Sequence, residues 1–310
     1  MTGFGYNISG FGGFANRIPI ITRAIFGGGA NTVNVMDFIT IQTTGNASDF
    51  GDLSVGRYGL AATASYIRGV FMGGHNGSNA VDVMDYITIA STGNASDFGN
   101  LSGIRRYLGG LSDRSRGLVG SGLSDSATLN IIEYITIETT GNMTDFGNLS
   151  VTRHSAAALA DSTRGVWMGG SDNSFLNTMD YVTIQTTGNA SDFGDLGIAR
   201  RDCQASGCAD RTRGVVAGGS TGSAGNGINS IEYITIQSTG NGTDFGDLTV
   251  ASMVVAAAAD STRGVFSGGY KASEYINVIS YITIASTGNA SDFGDATVTI
   301  GYRAGLSGAT

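Results

Sequence analysis

Oxygen ligands recur along this chain at one spacing. Asn46, Ser48, Asp49 and Asp52 fall within seven residues, and the same wording returns five more times. Amide, hydroxyl and carboxylate oxygens at that density are the donors a hard cation such as calcium takes, about six to eight at a time. The spacing is not that of an EF-hand loop, and a structural use competes. A turn Asp accepts nearby backbone N–H groups, and Gly-Asn supplies the positive φ of a tight turn. We read the series Asp49, Asp97, Asp145, Asp192, Asp244 and Asp292 as structural and assign it no metal. A parallel series, Arg23, Arg68, Arg116, Arg164, Arg213 and Arg263, leads to the expectation of one buried or half-buried Asp–Arg pair per unit. The six Asn-x-Ser/Thr sequons at Asn46, Asn94, Asn142, Asn189, Asn241 and Asn289 are read as turn chemistry, since residues 1–19 lack the pattern of a signal peptide.

Conventional catalytic groups are sparse. His75 and His154 are the only histidines and stand in different units. Cys203 and Cys208 match no zinc or disulfide pattern, and we expect both as buried thiols in an inner strand, facing opposite ways. No Ser-His-Asp set or phosphate loop stands out. A net charge of −8 with 14% charged residues disfavours nonspecific nucleic-acid binding. No apolar run is long enough for a membrane span. No cofactor is assigned.

These residues are carried by a repeat. Tyr/Phe-Ile/Val-Thr-Ile, a short polar stretch and Gly-Asn-x-Ser/Thr-Asp-Phe-Gly-Asp/Asn occur six times, with Gly45, Gly93, Gly141, Gly188, Gly240 and Gly288 spaced by 48, 48, 47, 52 and 48 residues. A fixed period of this size signals units that bury their apolar faces against one another. Each unit holds four strand-like segments: a small apolar one (Leu60 to Ala64), Arg-Gly-Val-Phe/Trp-x-Gly-Gly, Asp/Glu-Tyr-Ile-Thr-Ile, and Asp-Phe-Gly-Asp-Leu. No helical periodicity is found. The fold class is all-β, a six-bladed β-propeller of four-stranded antiparallel blades. The Ala- and Gly-rich segment belongs at the axis, and Phe50, Phe98, Phe146, Phe193, Phe245 and Phe293 belong between blades. The first unit lacks an inner strand and residues 302–308 form a spare one, so the C-terminus is expected to close the ring. The propeller spans residues 21–310. Residues 1–20, with Phe4, Tyr6, Phe11 and Phe14 among glycines, read as a docking arm.

The order of elements resembles the kelch repeat of galactose-oxidase-like propellers. A Gly-Gly doublet ends the second strand, an aromatic starts the third, and Arg57, Arg105, Arg153 and Arg200 follow the fourth, while the family's Trp is Phe here. The resemblance implies fold, not activity: the copper oxidase would need a Cys-crosslinked Tyr, and none matches beside His75 and His154. Those arginines are expected either to pack between blades or to form a partial basic ring at the channel mouth. The wording Tyr-Ile-Thr-Ile-Ala-Ser-Thr-Gly-Asn-Ala-Ser-Asp-Phe-Gly resembles repeats of virion structural proteins of marine bacteriophages.

Variation between units points to function. Loops from first to second and from third to fourth strand are nearly constant and share one face. Loops from second to third strand differ and share the other, carrying His75, Asn76, Asp172, Asn173, Phe175, Tyr270, Lys271 and Tyr275. Aromatic and amide side chains on loops over a rigid scaffold suit recognition. The expectation is a non-catalytic module of a phage virion, in the tail, a fibre or the capsid surface and extracellular when mature. Its partners are other virion proteins through the arm and a host-surface glycan or protein through the variable face. A polysaccharide-acting enzyme using Asp172 and Glu274, and a cellular kelch-type scaffold, are the alternatives.

Overall fold

The structure is a computed structural model that describes residues 22–222 and 227–308. The expected arm, residues 1–20, lies outside them, as do 223–226 in one variable loop. Six four-stranded antiparallel sheets stand around one axis. From axis to rim the second blade runs Ala61–Ala64, Arg68–Met72, Val83–Thr88 and Ser96–Asn100, and the others repeat this order. The first blade takes its inner strand, Ala304–Ser307, from the C-terminal part of the chain; Gly27 lies opposite Ala304 and Ala24 opposite Ser307. Closure by a late strand leaves no free inner edge. Among the described residues the only helical element is a 3-10 turn at Ala30–Thr32, and no helix is long and apolar enough to cross a membrane.

The Asp-Phe-Gly motif owes its form to a β-bulge. Met36 pairs with Gly51 and Asp37 with Asp49, which leaves Phe50 unopposed. Phe50 is buried against the second blade, among Leu60, Phe71 and Ile87, with its ring set edge-on to Phe38 at 6.0 Å. The same bulge recurs in every blade. The Gly after it keeps φ at +139° at Gly51, where a Cβ would stand 2.4 Å from the Gly93 carbonyl oxygen of the next blade. This close approach seats the next blade's Gly-Asn turn. Gly93 N donates to Phe50 O at 2.7 Å, and Asn94 Oδ1 accepts Asp52 N at 3.0 Å. Asn46, Asn142, Asn189, Asn241 and Asn289 do likewise, so the sequon asparagines clamp blade to blade.

The two repeated charge series do not pair with each other. Asp49, Asp97, Asp145, Asp192, Asp244 and Asp292 are all exposed on the outermost strands. Arg23, Arg68, Arg116, Arg164, Arg213 and Arg263 instead stack on the aromatic of their own third strand, 4.2–4.6 Å from ring centroids. Each also donates to a carbonyl of the following blade, as Arg68 does to Ile137 O at 3.2 Å. The expected pairing fails because the bulge leaves the Asp beside Phe facing solvent, while the carboxylate two positions before the first Ile-Thr-Ile isoleucine turns inward.

That inner carboxylate meets a different arginine. Arg57–Asp85 at 3.0 Å, Arg153–Asp180 at 2.7 Å, Arg105–Glu133 and Arg200–Glu232 are ion pairs with side chains at most 4% exposed. The basic ring considered for Arg57, Arg105, Arg153 and Arg200 therefore does not form: all four are buried between blades. Ser54 Oγ and Ser150 Oγ donate to the same carboxylates at 2.5 and 2.6 Å. Two junctions depart. Entering the first blade, Ile300 holds the arginine position, and Arg303 reaches Asp37 at 2.6 Å from three residues later. Entering the sixth, Ser252 replaces the arginine and Ser280 the carboxylate, and Ser280 bonds Thr249 Oγ1 at 2.6 Å.

A buried charge without its partner is costly, whereas a pair replaced together is cheap. Asp180→Ser alone is expected to lose about 3–5 kcal/mol in denaturant unfolding. Arg153→Ser with Asp180→Ser, which copies the Ser252/Ser280 junction, is expected to lose markedly less than the sum of the two single changes; strict additivity would refute the junction energetics.

Candidate functional site

The variable ends of the six inner strands meet in a ring of unusual backbone. Gly59, Tyr107, Ser155, Asp202, Val254 and Tyr302, one from each blade, all have φ between +55° and +64°. Left-handed backbone is natural for Gly59 and strained for the others, most for β-branched Val254. Hydrogen bonds hold it there. Gly59 N donates to Tyr302 O at 2.9 Å, Tyr107 N to Gly59 O at 2.6 Å, and Ser155 N to Tyr107 O at 2.8 Å. Cys203 N donates to Ser155 O at 3.2 Å, Val254 N to Asp202 O at 2.8 Å, and Tyr302 N to Val254 O at 3.1 Å. The circuit closes on itself around the axis. Strain maintained in this way marks candidate sites.

Side chains from this ring and its neighbours form an aromatic patch over the pole. Tyr58, Tyr107 and Tyr302 touch mutually, with centroids 6.2, 5.9 and 5.8 Å apart. His75 lies 5.0 Å from Tyr58, and His154 6.0 Å from Tyr107. Arg106 stands over Tyr107 at 5.5 Å, and Arg201 over Phe175 at 5.1 Å while its Nε lies 3.3 Å from Asp202 Oδ2. Burial, and then the neighbouring tyrosines and Asp202, raise the phenols of Tyr107 and Tyr302, so both remain protonated donors. Burial raises Asp202 against the opposing pull of Arg201. Both imidazoles are lowered: His75 by burial and then Arg106, with Asp125 opposing, and His154 by burial and then Arg201 and Arg106. His75 Nδ1 accepts Gly77 N at 3.0 Å, which also requires that nitrogen to be unprotonated.

Of the loop residues singled out by variation, His75, Phe175 and Tyr275 belong to this patch; Tyr275 interacts with Tyr58 and Tyr302. Tyr270 packs on Tyr275 at 5.0 Å across a short hairpin, Tyr270–Lys271 with Glu274–Tyr275, in which Lys271 lies opposite Glu274. Asn76 Oδ1 accepts Ser78 N and Asn79 N at 3.0 Å, and Asp172 Oδ1 accepts Ser174 Oγ at 2.9 Å, so these two shape their own loops. Asn173 and Lys271 are exposed at the rim. Sequence reasoning missed Tyr58, Arg106, Tyr107, Arg201, Asp202 and Tyr302. Their signal was variation at the two positions after the Arg57-type arginine, which the repeat otherwise keeps in register.

The opposite mouth holds a cavity of about 110 Å³ lined by Asp113, Arg114, Asp161, Asp210 and Arg211 among others. Its carboxylates are engaged. Asp161 Oδ1 accepts Thr163 N and Arg164 N, each at 2.8 Å, and Gln237 of the next blade donates to Oδ2. Gln185 and Gln42 serve Asp113 and Asp260 in the same way. That mouth is fastening, and the polar patch is the better candidate for binding. No cluster of three or more His, Cys, Asp or Glu fit to hold a metal occurs among the described residues. Asn46 Oδ1, counted above as a possible calcium donor, accepts Asp295 N at 3.0 Å. Cys203 and Cys208 are buried in different interfaces, though Cys203 precedes the inner strand, which starts at Gly207. The sequence matches no family model, and no curated protein matches it.

A histidine whose folded pKa lies below its unfolded one costs stability as pH falls, since the unfolded chain takes the proton first. NMR titration is expected to place both imidazoles below the ordinary value of about 6.5. Arg106→Gln is expected to move both upward, because one cation acts on each; movement of neither would contradict the arrangement.

Proposed function

We propose that this protein is a non-catalytic binding module of a phage particle, in the tail, a fibre or the capsid surface, that engages a host-surface glycan or protein through the variable pole. The observation carrying this reading is the Tyr58–Tyr107–Tyr302 triangle, ringed by His75, His154, Phe175 and Tyr275. Rigid aromatic faces with hydroxyl edges offer contact area at little entropic cost, and a sugar ring or an extended peptide can lie on them. Two features support binding over turnover. The phenols stay protonated, and Asp202, the pole's half-buried carboxylate, is paired with Arg201. Asp172 accepts from Ser174 within its own loop, and Glu274 is exposed across a hairpin from Lys271 two blades away, which favours loop-shaping roles for both. The virion assignment comes from the phage-like wording of the repeat, and the kelch-like order of its elements accords with a binding scaffold.

Purified protein is expected to adsorb to susceptible host cells and to compete with phage adsorption. Tyr58→Ala, at an ordinary backbone angle, is expected to weaken cell binding about tenfold or more. Antibody raised against the chain is expected to label purified particles. Absence from particles would sink the virion assignment, and wild-type binding by Tyr58→Ala would remove the pole from the recognition surface.

A further inference from the structure

Arg106 differs from the other half-buried and buried arginines of this propeller. The junction guanidiniums have carboxylates, and the stacked series has carbonyls of the next blade. Arg201 has Asp202. Arg106 is half-buried over Tyr107, and among the described residues it has neither an ion pair nor a hydrogen-bond acceptor, while its Nε is buried. A chain of net charge −8 thus leaves one cation uncompensated at its most aromatic place. Its reach is visible in the two imidazoles it lowers. Its Nε is closed off, as are those of Arg57, Arg153, Arg201 and Arg303, so the rest of the guanidinium, which has no acceptor among the described residues, is the part an anion brought by a ligand would meet.

We propose that the pole takes an acidic saccharide, laying a sugar ring on Tyr58, Tyr107 and Tyr302 and setting a carboxylate or sulfate ester against the Arg106 guanidinium. The shared chemistry is a planar or tetrahedral oxyanion on a pyranose. The guanidinium fork suits either, and the apolar face of the ring suits the tyrosines. Other charges facing the site frame the specificity. Arg201 adds a second cation partly neutralised by Asp202, and Asp125 faces His75 from the neighbouring loop. An anion is thereby directed to the Arg106 side. This inference rests on the binding reading given above and names the ligand class for the same pole.

The test measures binding of the full chain to three probes: an oligogalacturonate, a sulfated galactan oligosaccharide and neutral maltoheptaose. Binding of one or both acidic probes, weakened by added salt and about tenfold or more by Arg106→Gln, is expected. Arg106→Lys is expected to keep part of the affinity, and thermal unfolding of each variant checks that it folds. The two acidic probes separate carboxylate from sulfate. Binding of maltoheptaose alone, or acidic-probe binding that Arg106→Gln leaves unchanged, would overturn the acidic assignment and leave the pole's binding role standing. Host-cell adsorption that depends on Tyr58, with none of the three probes bound, would likewise overturn it while sparing that role. Failure of both adsorption and probe binding would overturn both.

Discussion

Six inner strands converge on one axis, and the rest of the structure follows from how little room that leaves. A Cβ on Gly110 would lie 2.5 Å from the Ala62 carbonyl oxygen, on Gly207 2.3 Å from that of Ala158, and on Gly305 2.3 Å from that of Ala257. The level therefore reads Ala62, Gly110, Ala158, Gly207, Ala257, Gly305 around the ring, a methyl alternating with a hydrogen. A sixfold architecture is filled with a threefold rhythm, because two methyl groups do not fit side by side where carbonyls already press. With the axis closed to bulk, only its two ends can carry anything variable. Position, more than composition, confines variation to the poles.

Further out the same constraint reappears as compensation between blades. Where Gly27 leaves space, Phe71 fills it, and where Gly120 leaves space, Trp167 does, its indole donating to Gly109 O at 3.0 Å. Met72 and Val119 share one cluster between blades, and Met168 and Val216 another, so long and short side chains are mixed at each interface. Native packing tolerates neither a void nor an overlap. The polar junctions obey an equivalent rule. Ser65 stands where four other blades have Asp, and its partner across the interface is Glu138 where three others have Gln, so donor and acceptor have exchanged places. Arg303 restores a guanidinium that its repeat position lacks, and Ser252 with Ser280 abandons both charges at once. Each is a different way to avoid an unpaired buried polar group.

The period, the order of strands, the phenylalanines between blades and the closing strand from the C-terminal part were legible in the sequence because they are stated in every unit. What was not legible depends on one backbone irregularity or on one unit. The bulge at Phe50 decides which of two recurrent carboxylates faces inward, and nothing in the spelling of Asp-Phe-Gly says so. The clamp by Asn94 joins residues 42 positions apart in different blades, and as a string Gly-Asn reads only as a turn. Arg303 lay off the repeat register and was hidden for that reason. The 52-residue step is explained in part by Gln204 and Ala205, which turn aside before a shortened inner strand, with Ser206 N donating to Cys203 O at 2.9 Å. The polar patch was half legible: variable loops were identified, but the left-handed ring that gathers Tyr107, Asp202 and Tyr302 exists only once the propeller has closed.

The two ends of the axis show why variation could accumulate at one and not at the other. At the constant end, Asp113, Asp161 and Asp260 each satisfy a turn with one oxygen and the neighbouring blade's glutamine with the other. A change there breaks a turn and an interface together. At the variable end the ring at Gly59, Tyr107, Ser155, Asp202, Val254 and Tyr302 is joined by backbone N–H and C=O groups, so it holds whatever side chain each unit supplies. Glycine, tyrosine, serine, aspartate and valine all occupy it, each in the same left-handed state. Main-chain bonding separates the stability of that ring from the side chains it carries, and a surface so constructed can change its chemistry without reopening the fold.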